Sequence, residues 1–192
     1  MRAAVYPLLI LACSLWCGGG LLAADLDKEF LNKRWGAPLS EFGDYVNVGG
    51  SGKIAYYVNP KQAYTLFDVA VASLVYGFYD EKFFAAYADL DAIDAYSAIK
   101  HRLQQRFGVP KISMESRGAL TTHSWMAGDT RIKMKYSEAS GAMKLSFYHM
   151  PLAGRANAEM QRDLDAEPPE PLFPLSKTRQ KEAFELLELF SY

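Results

Sequence analysis

The chain has 192 residues, 21 of them Lys or Arg and 22 Asp or Glu, for a formal charge of −1; half of the residues are hydrophobic and 14% are aromatic. That balance lacks the excess of positive charge needed to neutralise a nucleic-acid backbone, so nucleic acid is not an expected partner. Cys13 and Cys17 are the two cysteines, both in the first apolar stretch, so a protein cut after that stretch has neither disulfides nor thiolate chemistry.

Met1 and Arg2 precede an uncharged run from Ala3 to Leu22, and Ala23-Ala24-Asp25 follow it. A basic start, an apolar middle and small residues before an acid describe a secretory signal, so residues 1–24 are expected to be an export signal and the rest to work in the periplasm or outside the cell. Pro7 and Gly18-Gly19-Gly20 are poor material for a membrane helix. Membrane contact is expected only if the signal is retained as an anchor or if Cys13, in a loose lipobox Ile10-Leu11-Ala12-Cys13, is lipidated. Without disulfides, an exported domain of this size must rely on its core, and a chain this long buries about 70% of its unfolded surface.

Residues 25–152 read as one domain. Pro38 opens a short helix in Trp35-Gly36-Ala37-Pro38-Leu39-Ser40-Glu41-Phe42, with Leu39 and Phe42 on one face. Tyr45 to Val48 and Ile54 to Val58 then flank the cluster Gly49-Gly50-Ser51-Gly52 as a hairpin. The aromatic stretch from Val69 to Leu90 gives two strands, Leu74 to Tyr79 and Phe83 to Tyr87, divided by Asp80-Glu81-Lys82. Asp91 or Asp94 caps a helix with Tyr96, Ile99, Leu103 and Phe107 at helical spacing, closed by Gly108 and Pro110. After a polar stretch, three strands follow: Thr122 to Ala127, Thr130 to Tyr136 across a Gly128-Asp129 turn, and Met143 to Met150. Their strict alternation puts Ile132, Met134, Tyr136, Met143, Leu145 and Phe147 on a buried face and turns the other face to water.

Residues 153–192 form a C-terminal extension: a polar helix from Ala153 to Glu167, a Pro-rich linker over 168–174, and a last amphipathic helix with Phe184, Leu187 and Phe190 on one side. The expected fold is therefore α+β, an antiparallel meander sheet of about six or seven strands with one main helix on its apolar face, plus C-terminal helices.

The order WGAPLSEF, LVYGFYDEKFF, a helix ending in FGVP, then IKMKYSE resembles a family of small exported bacterial proteins with no assigned activity, over residues 30 to 150. The resemblance implies a bacterial source and an α+β domain, and it carries over no functional residue.

Catalytic and metal signatures fail one by one. Gly49-Gly50-Ser51-Gly52-Lys53 has Asn47 where a phosphate-binding loop has its first Gly, and Ile54 in place of Ser or Thr. Asp89-Leu90-Asp91-Ala92-Ile93-Asp94 has the acid spacing of a calcium loop, but Ile93 stands where an EF-hand needs an oxygen ligand and Asp94 where it needs Gly. His101 lies on a helix surface, and pairing across Gly128-Asp129 puts His123 on the apolar face with His149. The two are offset by two strands and four residues, on the order of 15 Å, too far to share a metal. No serine sits on a strand-to-helix elbow, and no cofactor motif appears.

The positive candidate is the second face of the C-terminal sheet. Arg131, Lys133, Lys135 and Lys144 lie close together there with Tyr148 alongside, a face for an anionic ligand or an acidic envelope partner. The last helix, through Phe184, Leu187 and Phe190, is a candidate partner-binding element. The function expected is thus a non-enzymatic binding or interaction module of the bacterial envelope. Two alternatives stand beside it: a structural domain whose last helix only completes the fold, and a hydrolase whose paired carboxylates meet only in space.

Overall fold

A computed structural model of the protein describes residues 26–115 and 120–166. The expected export signal, Cys13, the Pro-rich linker and the helix bearing Phe184, Leu187 and Phe190 lie outside the described residues.

The described chain opens with a small hairpin, β1 (Glu29–Phe30) and β2 (Lys33–Arg34), turned at Leu31-Asn32 with both residues at positive φ. Its purpose is to insert an aromatic wedge. Phe30 has no exposed surface and packs on Trp35, Tyr76 and Phe147 with ring centroids 6.0, 6.3 and 4.7 Å apart. Hydrogen bonds hold the segment: Trp35 Nε1 and Thr130 Oγ1 both donate to the Leu26 carbonyl, at 2.9 and 2.6 Å, and the Asp129 amide donates to Asp27 Oδ1 at 2.7 Å. Gly128 is required by that contact, since a Cβ there would overlap the Asp27 carboxylate, and its φ of 57° disfavours other residues. A 3₁₀ turn at Leu39–Phe42 follows Pro38, as the sequence predicts, and buries Phe42.

Next come β3 (Val46–Ser51), β4 (Ile54–Val58), the short pair β5 (Tyr64–Leu66) and β6 (Val69–Val71), then β7 (Val75–Tyr79) and β8 (Lys82–Asp89). The hairpin at 45–58 forms, but Gly49 and Gly50 belong to β3 rather than to the turn, which falls at Gly52-Lys53. Helix α1 (Ile93–Phe107) buries Tyr96, Ile99 and Leu103, the stripe the periodicity predicts. Its N-cap is Ala92, with no side-chain cap bond, so Asp91 does not cap it; Asp94 lies in its first turn and the Gly108 amide closes it on the Gln104 carbonyl. The chain continues as β9 (Lys111–Glu115), β10 (Leu120–Ala127), β11 (Thr130–Ser137) and β12 (Met143–His149), and helix α2 (Met150–Ala166) starts at Met150, where the sequence predicts the last residue of the strand.

The fold is α+β and mostly antiparallel, around one eight-stranded sheet of order β3-β4-β7-β8-β12-β11-β10-β9. Two corrections to the sequence reading follow. The sheet has eight strands because the polar stretch after Pro110 supplies β9, an edge strand paired along β10 from Glu115–Leu120 to Lys111–Ser124. It is also not one meander. Helix α1 carries the chain from β8 to the far edge, so β9 to β12 run back inward until β12 pairs with β8, Leu145 opposite Ala88 and Phe147 opposite Ala86. Registers read from the turns are as expected: Trp125 faces Ile132, His123 faces Met134, and Thr130 faces His149.

The main core lies between α1, the N-terminal wedge and one face of the sheet, with Ile132, Met134, Leu145 and Phe147 fully buried. The second face is not open to water throughout. Leu152, Ala153 and Ala156 of α2 pack on Ile54, Phe84, Ala85, Tyr87 and Tyr148, which explains why β8 is buried on both sides from Phe83 to Ala88. The helix is pinned at its outer side by Glu159, which accepts from Tyr79 Oη at 2.5 Å and pairs with Lys53 Nζ at 3.2 Å. Among the described residues no helix is long and apolar enough to cross a membrane.

Candidate functional site

Because side chains alternate across a strand, the registers alone set out the second face in rows. One row runs Asp89, Lys144, Lys135, Thr122 and Ser113 from β8 to β9; the next runs Tyr87, Ser146, Lys133, Ser124 and Lys111; a third runs Ala85, Tyr148, Arg131 and Met126. The predicted cluster of Arg131, Lys133, Lys135, Lys144 and Tyr148 is therefore brought together, with Lys135 directly opposite Lys144 and Arg131 opposite Tyr148. Two features differ from an open basic face. Lys133 and Lys135 are buried, at 6% and 8% exposure, and Tyr148 lies under α2 with 1% of its surface exposed.

The consequences for charge are visible at Lys133. Burial, followed by the neighbouring charges of Lys135 and Arg131, lowers its pKa from 10.5 to about 8. Like charges directly opposite one another destabilise a sheet, and Lys135 and Lys144 are such a pair, offset on the other side of Lys144 by Asp89. At Tyr148, burial pushes the phenol up to about 12 against the opposing pull of hydrogen bonds with Ser146 and Tyr87.

Two concavities share Lys135. One, of about 300 Å³, has Val48, Tyr56, Val75 and Tyr87 at one end and Lys135, Lys144 and Ser146 at the other. The second, of about 400 Å³, holds Lys111, Ser124, Arg131 and Lys133 along β9, β10 and β11. The first volume is at the lower end of small-molecule pockets, which span roughly 300–1,000 Å³. In sheet order β3 and β11 are five spacings apart, about 24 Å if flat. Val48 on β3 and Lys135 on β11 line one cavity, so the sheet is bent around it. Bulges between Asn47 and Gly49 and between Gly77 and Phe78 supply local bending, and Asn47 Oδ1 holds the first by accepting from the Gly49 amide at 3.0 Å.

Among the described residues, the carboxylates that line the two concavities are Asp89 in the first and Glu115 in the second. The histidines stand apart from them. His123 Nδ1 is 3.2 Å from Tyr96 Oη in the main core, and burial, then Lys100, lowers its pKa. His149 stacks on Trp35 with centroids 6.0 Å apart and planes at 6°; burial lowers its pKa, while Asp129 and Asp27 pull it upward. His101 is exposed, its Nε2 2.9 Å from Gln105 Nε2. Among the described residues no group of three or more His, Cys, Asp or Glu is placed to hold a metal ion.

Sequence reasoning missed Lys111, Tyr56, Tyr87 and the β3 rim. For Lys111 a signal existed, since Lys111, Ser113 and Glu115 alternate with Ile112 and Met114 at the period of a strand. For Tyr56 and Tyr87 there was none, because both faces of their strands carry aromatic residues. Compared with known proteins, the chain matches no protein-family model, no curated protein and no solved structure.

Proposed function

We propose that the protein is a non-enzymatic binding module of the bacterial envelope whose working surface is the lysine-bearing second face of the sheet, and that its ligands are anions. The observation that carries this reading is the gathering of Arg131, Lys133, Lys135 and Lys144 around two concavities, with two of the lysines withdrawn from water. Burial disfavours the charged form of Lys133, and an anion seated beside it favours that form again through charge-assisted hydrogen bonds. The envelope assignment is supported by the signal-like Met1 to Ala24 segment and by the resemblance to small exported bacterial proteins.

The test is binding of a soluble polyanion, dextran sulfate, and of pyrophosphate at low and at high salt, to the native protein and to a Lys135→Met, Lys144→Met double variant. Methionine keeps the length of the lysine stem and removes the charge. The expected outcome is salt-sensitive binding to the native protein that the double variant loses while its melting is unchanged or raised. Equal binding by both proteins, or none by the native protein, refutes the reading.

A further inference from the structure

We infer that the smaller concavity is a site for a small amphiphilic anion, its apolar body lying against Val48, Tyr56, Val75 and Tyr87 and its anionic head between Lys135 and Lys144. This rests on the anion-binding reading and names its ligand class. The argument comes from how the lining is polarised along the sheet. Among the described residues, the lining from β3 through β4 and β7 to Tyr87 of β8 carries Val48, Tyr56, Val75 and Tyr87 with glycine backbone and one hydroxyl, Ser73, whereas all the charged residues, Lys135, Lys144 and Asp89, stand at the other end. A flat polyanion has no use for the first half of this cavity, and a neutral apolar ligand has none for the second.

Three details strengthen the apolar end. Val48 keeps 54% of its surface exposed at the rim although it is aliphatic. Tyr87 stands edge-on to both Tyr56 and Tyr148, with centroids 6.1 and 5.6 Å apart, which makes a rigid aromatic floor. Gly50 lies so close to the Ile54 carbonyl that a Cβ would come within 2.3 Å, so the lining beside Val48 is glycine backbone packed on β4. At the cationic end Lys135 and Lys144 are direct neighbours across β11 and β12 and both line the cavity, with Ser146 as a neighbouring donor. A carboxylate, sulfate or phosphate head shares the chemistry that this patch recognises.

Calorimetric titration with acetate, hexanoate, octanoate and decanoate, each below its aggregation threshold, tests the inference. Each methylene that enters the apolar end is expected to tighten binding by about fourfold, until the cavity is full. Decanol, which has the chain without the charge, binds at least about tenfold more weakly than decanoate, and Lys144→Met reduces decanoate affinity by a similar factor. Val48→Ser, on the exposed rim where folding is not at stake, weakens decanoate several-fold and leaves acetate unchanged. Vesicles of anionic phospholipid separate a free amphiphile from a membrane head group. Binding to vesicles without binding to decanoate overturns the inference, as does decanoate binding no tighter than acetate, or decanol matching decanoate. If dextran sulfate still binds with salt sensitivity in those cases, the anion-binding reading survives and only the amphiphile fails.

Discussion

Replacing Lys133 with methionine keeps an apolar stem in place and removes a charge that the fold holds at a disadvantage. A pKa lowered from 10.5 to about 8 corresponds to at most about 3 kcal/mol against folding at neutral pH, and water reaching the ammonium reduces this to about 1–2 kcal/mol. The sign follows from proton counting. Since the folded pKa lies below the unfolded one, the unfolded chain binds more protons between about pH 8 and 10.5, and the native protein gains stability as pH rises through that window. The penalty is complete below the folded pKa, and Lys133→Met has none to lose. Urea unfolding of both proteins at about pH 7 and about pH 9.5 reads the difference: the native protein is expected to gain about 1 kcal/mol relative to the variant over that interval. Parallel pH profiles for the two proteins refute the claim that Lys133 is held in a charge-disfavouring recess. Anion binding adds a second readout. A ligand in the trough raises the Lys133 pKa again, so near pH 8 binding takes up a fraction of a proton, detected as a dependence of binding heat on buffer ionisation.

Phe30→Ala removes a fully buried ring that touches Trp35, Tyr76 and Phe147, and is expected to cost about 3–5 kcal/mol in chemical denaturation, showing that the N-terminal hairpin is part of the core. Glu159→Gln breaks the ion pair to Lys53 and weakens the bond from Tyr79, so amides of α2 exchange faster while those of β10 and β11 do not change. The hydrogen bond from Tyr79, aided by Lys53, lowers the Glu159 pKa, so the same loosening is expected in the native protein as acid protonates Glu159, below the usual carboxylate range.

Much of the domain was legible because its signals are local. Strict alternation in Thr130 to Tyr136 and Met143 to Phe147, with a Gly-Asp turn, specified the strands, their registers and the row of Arg131, Lys133, Lys135 and Lys144. The stripe of Tyr96, Ile99 and Leu103 specified α1 and the face it buries. The hairpins β1-β2 and β5-β6 were not legible, because strands of two and three residues are too short to show an alternation and their turns at Leu31-Asn32 and Phe67-Asp68 carry no glycine. There the tertiary environment overrides local preference, since Phe30 and Leu66 are buried by partners distant in sequence.

Which side chains share a strand face and which helix stripe is apolar follow from the local periods of two and 3.6 residues, and both can be read off the residue order. Long-range packing makes the remaining choices: α1 carries the chain to the far edge, β12 closes on β8, and α2 covers Tyr148 at one side of the basic face. Those choices are made by contacts between residues far apart in the chain, such as Phe147 with Ala86 and Glu159 with Tyr79, and they turn a row of surface lysines into the wall of a recess.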